Sequence, residues 1–226
     1  MKFTIHEKSY FFLSSIFLTS LVVGNMIGTT KFVSLFSGTF IIPVGLLAYP
    51  ITFLATDLIC EVHGKKRAEF IVWVGFFINC YMLILMWLGH NLMDAAGVSS
   101  NTSTFEGVYK LFVANVAASM IAYLGAQSID VKLFHFWKKL TKGKHLWLRN
   151  CGSTLISQIV DTVVILSILY YLQELGPNVN SLATLWPLIL SSYSFKVVFA
   201  VLDTPLFYLG TYLLNRAIEG EAKLSS

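Results

Sequence analysis

Gln127-Ser128-Ile129-Asp130 and Gln158-Ile159-Val160-Asp161 repeat one pattern, a glutamine followed three residues later by an aspartate. Residues three or four apart share a helix face, so each pair points an amide and a carboxylate the same way. Both pairs lie in stretches apolar enough to cross a bilayer, where a central carboxylate costs about 2.5–3.5 kcal/mol on insertion scales. That cost, carried twice beside two amides, marks the lining of a polar site. An ionised carboxylate only accepts hydrogen bonds, whereas an amide both donates and accepts. The combination suits a small neutral or cationic molecule with several N–H donors and some acceptors, such as a nucleobase or vitamin. A guanine-like edge fits, because a carboxylate accepts from adjacent N–H groups while an amide contacts the carbonyl.

Further polar residues interrupt the apolar stretches. Asp57 and Glu61 stand four apart near the end of a second stretch, and Lys196 and Asp203 seven apart in the last one. Asn25 and Asn79 add amides. Counting along the spans puts Asp161 and Lys196 near mid-membrane, Asp57, Asp130 and Asp203 in the cytoplasmic half, and Glu61 close to that boundary. The expected substrate-binding set is Asp161, Gln158, Gln127 and Asp130, with Asp57, Glu61 and Asn25. Lys196 and Asp203 are expected to balance charge or to couple transport, and one aspartate is a candidate carrier of a coupling proton. Structural readings stand beside these: Glu61 as an interfacial charge, Lys196 with Asp203 as a packing ion pair, and Asn25 and Asn79 as bridges between helices. Gly24 and Gly28 read as a close helix contact.

The elements that must position these groups are membrane helices. The 226 residues are 56% hydrophobic and 12% charged, against about 25% charged in a soluble domain, and mean hydropathy is +0.70. An all-α integral membrane protein is expected, one domain over residues 1–226 with no separate soluble catalytic unit. Apolar runs near the ~20 residues that cross a bilayer give six spans, about 10–28, 40–60, 69–89, 111–136, 148–172 and 185–214. The first is longer than a signal sequence and lacks a cleavage site, so it is read as retained.

Charge sets the orientation. Lys65, Lys66 and Arg67 occupy one loop; Lys138, Lys139, Lys142, Lys144 and Arg149 occupy another; Lys2, Lys8, Arg216 and Lys223 flank the ends. By the positive-inside rule both termini are cytoplasmic, as an even number of spans requires. Trp87 and Trp186 fall near the outer boundary, and Trp137 and Trp147 near the inner one. The net charge of +4 follows from this topology and implies no nucleic-acid partner. Cys60, Cys80 and Cys151 have no metal-ligand spacing, and no motif for a cofactor is present. The chain has no Gly-x-Ser-x-Gly and no His-Glu-x-x-His. An intramembrane aspartyl enzyme, in which two aspartates share a proton, is a remote alternative because the Gly-x-Gly-Asp arrangement is missing. No enzymatic activity is expected.

Three blocks carry a resemblance. The first is Tyr49-Pro50-Ile51-Thr52-Phe53-Leu54-Ala55-Thr56-Asp57, continuing to Glu61, Gly64 and Ala68. The second runs from Asp130 through Leu146-Trp147-Leu148-Arg149-Asn150 and Ser153-Thr154 to Ser157-Gln158 and Asp161-Thr162. The third is Phe195-Lys196 with Asp203-Thr204-Pro205. Together they resemble the queuosine-precursor transporters, also called the vitamin uptake transporter family; His63 departs from the tyrosine more usual there. The resemblance implies bacterial inner-membrane import of a 7-deazaguanine base for tRNA modification. It also implies a six-helix arrangement similar to the substrate-binding subunits of energy-coupling-factor transporters. A binding subunit that serves an ATP-driven module is the alternative, and the chain has no Walker motif of its own.

Overall fold

A computed structural model describes residues 3–35, 38, 40–93, 101–141 and 146–225. Six long α-helices dominate them: α1 (Ile5–Ile27), α2 (Tyr49–His63), α3 (Lys65–Asn91), α4 (Thr102–Leu140), α5 (Leu146–Tyr171) and α6 (Leu182–Ser225). An antiparallel hairpin, β1 (Phe32–Leu35) and β2 (Phe40–Pro43), and a 3-10 turn at Val44–Ala48 join α1 to α2. Among the described residues, five helical stretches are long and apolar enough to cross a membrane. They are Ile5–Ile27, Val44–His63, Lys66–Asn91, Thr102–Ala122 and Leu182–Glu221, and Leu155–Tyr171 of α5 is a shorter apolar helix. The protein is an all-α membrane protein.

The hairpin corrects the expectation of a helix from Phe40. Phe40-Ile41-Ile42-Pro43 is a strand, with Leu35 paired to Phe40 and Phe32 to Pro43. A short apolar run does not reveal by periodicity whether it is helix or strand. Here Pro43 and Pro50 bracket the choice: a proline is tolerated at a strand end and in a first helical turn, but not inside a helix without cost, and Pro50 stands in the first turn of α2. Ile42 is fully buried, and the backbone N–H of Ile41 donates to Ser191 Oγ at 2.7 Å, so the hairpin is held against α6.

The start of α1 is closed by a reciprocal cap. The Glu7 N–H donates to Thr4 Oγ1 at 3.2 Å, and the Thr4 N–H to Glu7 Oε2 at 3.0 Å, which satisfies two of the helix's free donors. The Ile5 N–H is taken by Glu221 Oε2 from the far end of α6, at 2.5 Å. His63 meets His6 ring to ring nearby, Nδ1 to Nε2 at 3.1 Å. At its other end α1 stops at Gly28, whose φ of 31° is easy only for glycine.

Gly24 and Gly28 make the expected close contact, and the partner is the chain's own 3-10 turn. The Gly45 N–H donates to Gly28 O at 2.9 Å. A side chain on Gly45 would bring its Cβ to 2.4 Å from Gly24 O. Along α4, Ala114, Ala118, Ala122 and Ala126 are all buried at four-residue spacing. Small residues in that register let another membrane helix approach closely, and α4 packs most extensively against α5. Two apolar clusters result: Leu13, Phe17, Ala55, Ile59 and Ile71 join α1, α2 and α3, while Ala118, Leu166, Leu169, Leu185 and Ile189 join α4, α5 and α6.

Two helices outrun a bilayer. At 1.5 Å per residue, the 39 residues of α4 extend about 58 Å and the 44 of α6 about 66 Å, against a hydrocarbon core of about 30 Å. Pro205 lies inside α6; without an N–H, it leaves the Val201 carbonyl without its usual partner.

Candidate binding cavity

A cavity of about 510 Å³ opens among the six helices, touching both apolar clusters through Phe17, Leu166 and Leu169. That volume is in the ordinary range for small-molecule sites, about 300–1,000 Å³. Two polar groups of side chains face it.

The first group joins α2, α5 and α6. Lys196 Nζ donates to Asp161 Oδ2 at 2.8 Å and stands 3.4 Å from Gln158 Oε1. It also lies 4.4 Å from the centroid of the Tyr49 ring, a cation over the negative face of an aromatic. The Tyr49 hydroxyl donates to Gln158 Oε1. The side chains of Lys196 and Asp161 are 5% and 17% exposed, so the two charges neutralise each other largely out of water. Local sequence makes this arrangement. Gln158 and Asp161 share a face of α5 at i, i+3 spacing, and the Thr162 hydroxyl beside them bonds back to the Gln158 carbonyl at 2.8 Å. Tyr49 opens α2 directly after the 3-10 turn, and Phe53 packs on it one turn later, ring centroids 4.2 Å apart.

The second group joins α1, α3 and α4. Asn25 Nδ2 donates to Asn79 Oδ1 at 2.9 Å, and Asn79 Nδ2 to the Gly75 carbonyl at 3.0 Å. Asn115 Nδ2 reaches the Asn25 carbonyl at 3.2 Å and its Oδ1 at 3.4 Å. The Asn115 amide lies against Gly28, where a Cβ would come within 2.8 Å of Asn115 Cγ. Every helix therefore supplies at least one polar side chain to one of the two groups, and α5 supplies two.

Of the residues expected from sequence, Gln158, Asp161, Asn25 and Lys196 line the cavity. Asp57 and Glu61 are exposed on α2 and, with Asp203 on α6, do not line it. Gln127 and Asp130 lie on α4, but their side chains fall outside the described residues. The ion pair formed by Lys196 is with Asp161 rather than with Asp203. Among the described residues, no cluster of three His, Cys, Asp or Glu side chains suits a metal ion. Sequence reasoning missed Asn115 and the site role of Tyr49. Asn115 carries the same signal as Asn25 and Asn79, an amide inside an apolar run. Tyr49 opened the first block of the resemblance, but nothing in its type or spacing marked it as part of a site.

Residues 43–210 match the family described as "Putative vitamin uptake transporter". The chain belongs to that family. This vitamin uptake transporter family member is therefore a multi-pass membrane transporter of a small molecule and not an enzyme. It is 27% identical over 167 residues to the "Probable queuosine precursor transporter" of Bacillus subtilis, covering 73% of this chain and 69% of that one. It is 26% identical over 186 residues to the "Queuosine precursor transporter" of Escherichia coli, covering 77% and 74%. A Haemophilus influenzae protein named "Probable queuosine precursor transporter" is 31% identical over 133 residues, 56% of this chain and 51% of that one. No solved structure matches.

Proposed function

We propose that this protein imports a queuosine precursor, a 7-deazaguanine base, across the bacterial inner membrane. In this reading the whole chain is one membrane domain of six spans with both termini in the cytoplasm. The observation that carries the reading is the Tyr49–Gln158–Asp161–Lys196 group on the cavity wall. It combines a carboxylate, an amide and an aromatic ring, the three features that bind a guanine-like base by its N–H groups, its carbonyl and its π face. The names of the family and of the three relatives support the substrate class. Asp161 and Gln158 read the base, Lys196 balances the charge of Asp161, and Asn25 contributes from the other group. Gln127 and Asp130 join the base-binding set on the strength of their sequence pattern, and an aspartate carries a coupling proton.

The test uses bacteria unable to make queuosine precursors and lacking their own importer. Expression of this protein should restore queuosine in tRNA when a deazaguanine is supplied at low concentration. Asp161→Asn, with membrane insertion verified, should not. No restoration with any such base would remove the proposal. Protonophores should abolish uptake, and indifference to them would remove the coupling step alone. The alternative of a subunit serving an ATP-driven module has less support, because the small-residue face of α1 at Gly24 and Gly28 is occupied by the chain's own 3-10 turn.

A further inference from the structure

The acceptor end of Gln158 is already occupied. Its Oε1 receives the Tyr49 hydroxyl and faces the Lys196 ammonium. An ammonium has three donors and no acceptor, so turning the amide over would set its NH₂ against a positive charge. The hydrogen-bond network decides which way an amide points; here two donors from two other helices fix it. The hydrogen bonds that the Gln158 side chain makes with described residues all use Oε1, and Gln158 lines the cavity, so its amide NH₂ is the end available to a ligand there. One turn along α5, Asp161 gives Oδ2 to Lys196, which leaves Oδ1. The wall thus offers a fixed donor, Gln158 Nε2, beside a fixed acceptor, Asp161 Oδ1.

We propose that this donor–acceptor pair reads a lactam edge, with Gln158 donating to a ring-attached C=O and Asp161 accepting from the adjacent ring N–H. Tyr49 and Lys196 are the positioning residues that set the polarity of the wall. The inference rests on the base-import reading and deepens it, because it specifies which edge of a base is bound and which residues impose the choice. An amidine edge, with an exocyclic NH₂ beside a bare ring nitrogen, meets donor with donor and acceptor with acceptor. It can match only by turning over, which carries its five-membered ring to the other flank of the wall.

The experiment titrates the purified full-length protein in lipid nanodiscs with 7-deazaguanine, 7-deazahypoxanthine (a lactam without the 2-amino group) and 7-deazaadenine (an amidine). The lactam 7-deazahypoxanthine should bind at least tenfold more tightly than 7-deazaadenine. Tyr49→Phe keeps the ring beneath Lys196 and removes the hydroxyl, and it should narrow that ratio severalfold with little change in melting temperature. Adding Lys196→Met should bring the ratio close to one where the double variant stays monodisperse; Tyr49→Phe carries the test where it does not. Binding of 7-deazaguanine with no preference between the other two bases overturns the inference alone. So does a Tyr49→Phe ratio equal to wild type. Binding of none of the three bases overturns the base-import reading and this inference with it.

Discussion

The two polar groups on the cavity wall solve one problem in opposite ways. In the group on α2, α5 and α6, full charges are brought together and each neutralises the other: Lys196 on Asp161, with Gln158 and Tyr49 closing the ring. In the group on α1, α3 and α4, three asparagines hydrogen-bond mainly to one another and to backbone carbonyls. The difference lies in what each loses when one member goes. Removing one partner of a buried ion pair strands a charge, whereas removing one amide strands at most a dipole. The charged group is the brittle half of the site, and the amide group the tolerant half.

Lys196→Met should break that contrast most visibly. Leaving Asp161 alone costs about 3–5 kcal/mol by analogy with other broken buried pairs, which thermal melting in nanodiscs would record as a large drop. Lys196→Met with Asp161→Asn removes both charges and should recover most of the melting temperature while uptake stays abolished. Recovery of both properties would reduce the pair to a structural tie. Gly45→Ala comes next. Its Cβ would meet the Gly24 carbonyl at 2.4 Å, and overpacking of this kind costs about 1–3 kcal/mol, here at the contact of the 3-10 turn with α1. Asn25→Ala should be milder, since interhelical hydrogen bonds in membranes average about 0.6 kcal/mol and reach about 1.7. A loss as large as that of Lys196→Met would erase the distinction between the groups. Asp57→Asn should change least. Asp57 is exposed and off the cavity wall, so base binding should stay within twofold of wild type by calorimetry, whatever becomes of proton dependence.

Much of this was legible in the sequence, and the reasons differ residue by residue. Gln158 and Asp161 announced themselves because a polar pair at helical spacing is costly in an apolar run, and the cost does not depend on neighbours. Lys196 was identified for the same reason, but its partner was not. Spacing along α6 pointed to Asp203, seven residues on, whereas packing of α5 against α6 delivers Asp161. Face arithmetic describes one helix at a time and is silent on which helix comes next to it. Tyr49 was hidden for a related reason: in a chain that is 15% aromatic, only tertiary structure singles out the ring that receives a lysine. The hairpin at Phe32–Pro43 was missed because its strands are four residues each, too short for periodicity to separate strand from helix. The alanine register of α4 was present in the sequence, and its four-residue steps are the kind of signal that helix-packing rules can use.

The hydrogen bond from the Ile5 N–H to Glu221 Oε2 closes a loop between positions 216 apart in the chain. It gives the protein a built-in order of manufacture. α1 is made before the far end of α6, so the opening turn of α1 lacks one of its acceptors until that end has been made. Thr4 and Glu7 secure their own N–H groups at once, being local. His6 and Tyr10 already tie that end of α1 to His63 and Arg67, so a nascent chain truncated before Glu221 keeps its first helix docked and lacks only the acceptor that completes its opening turn.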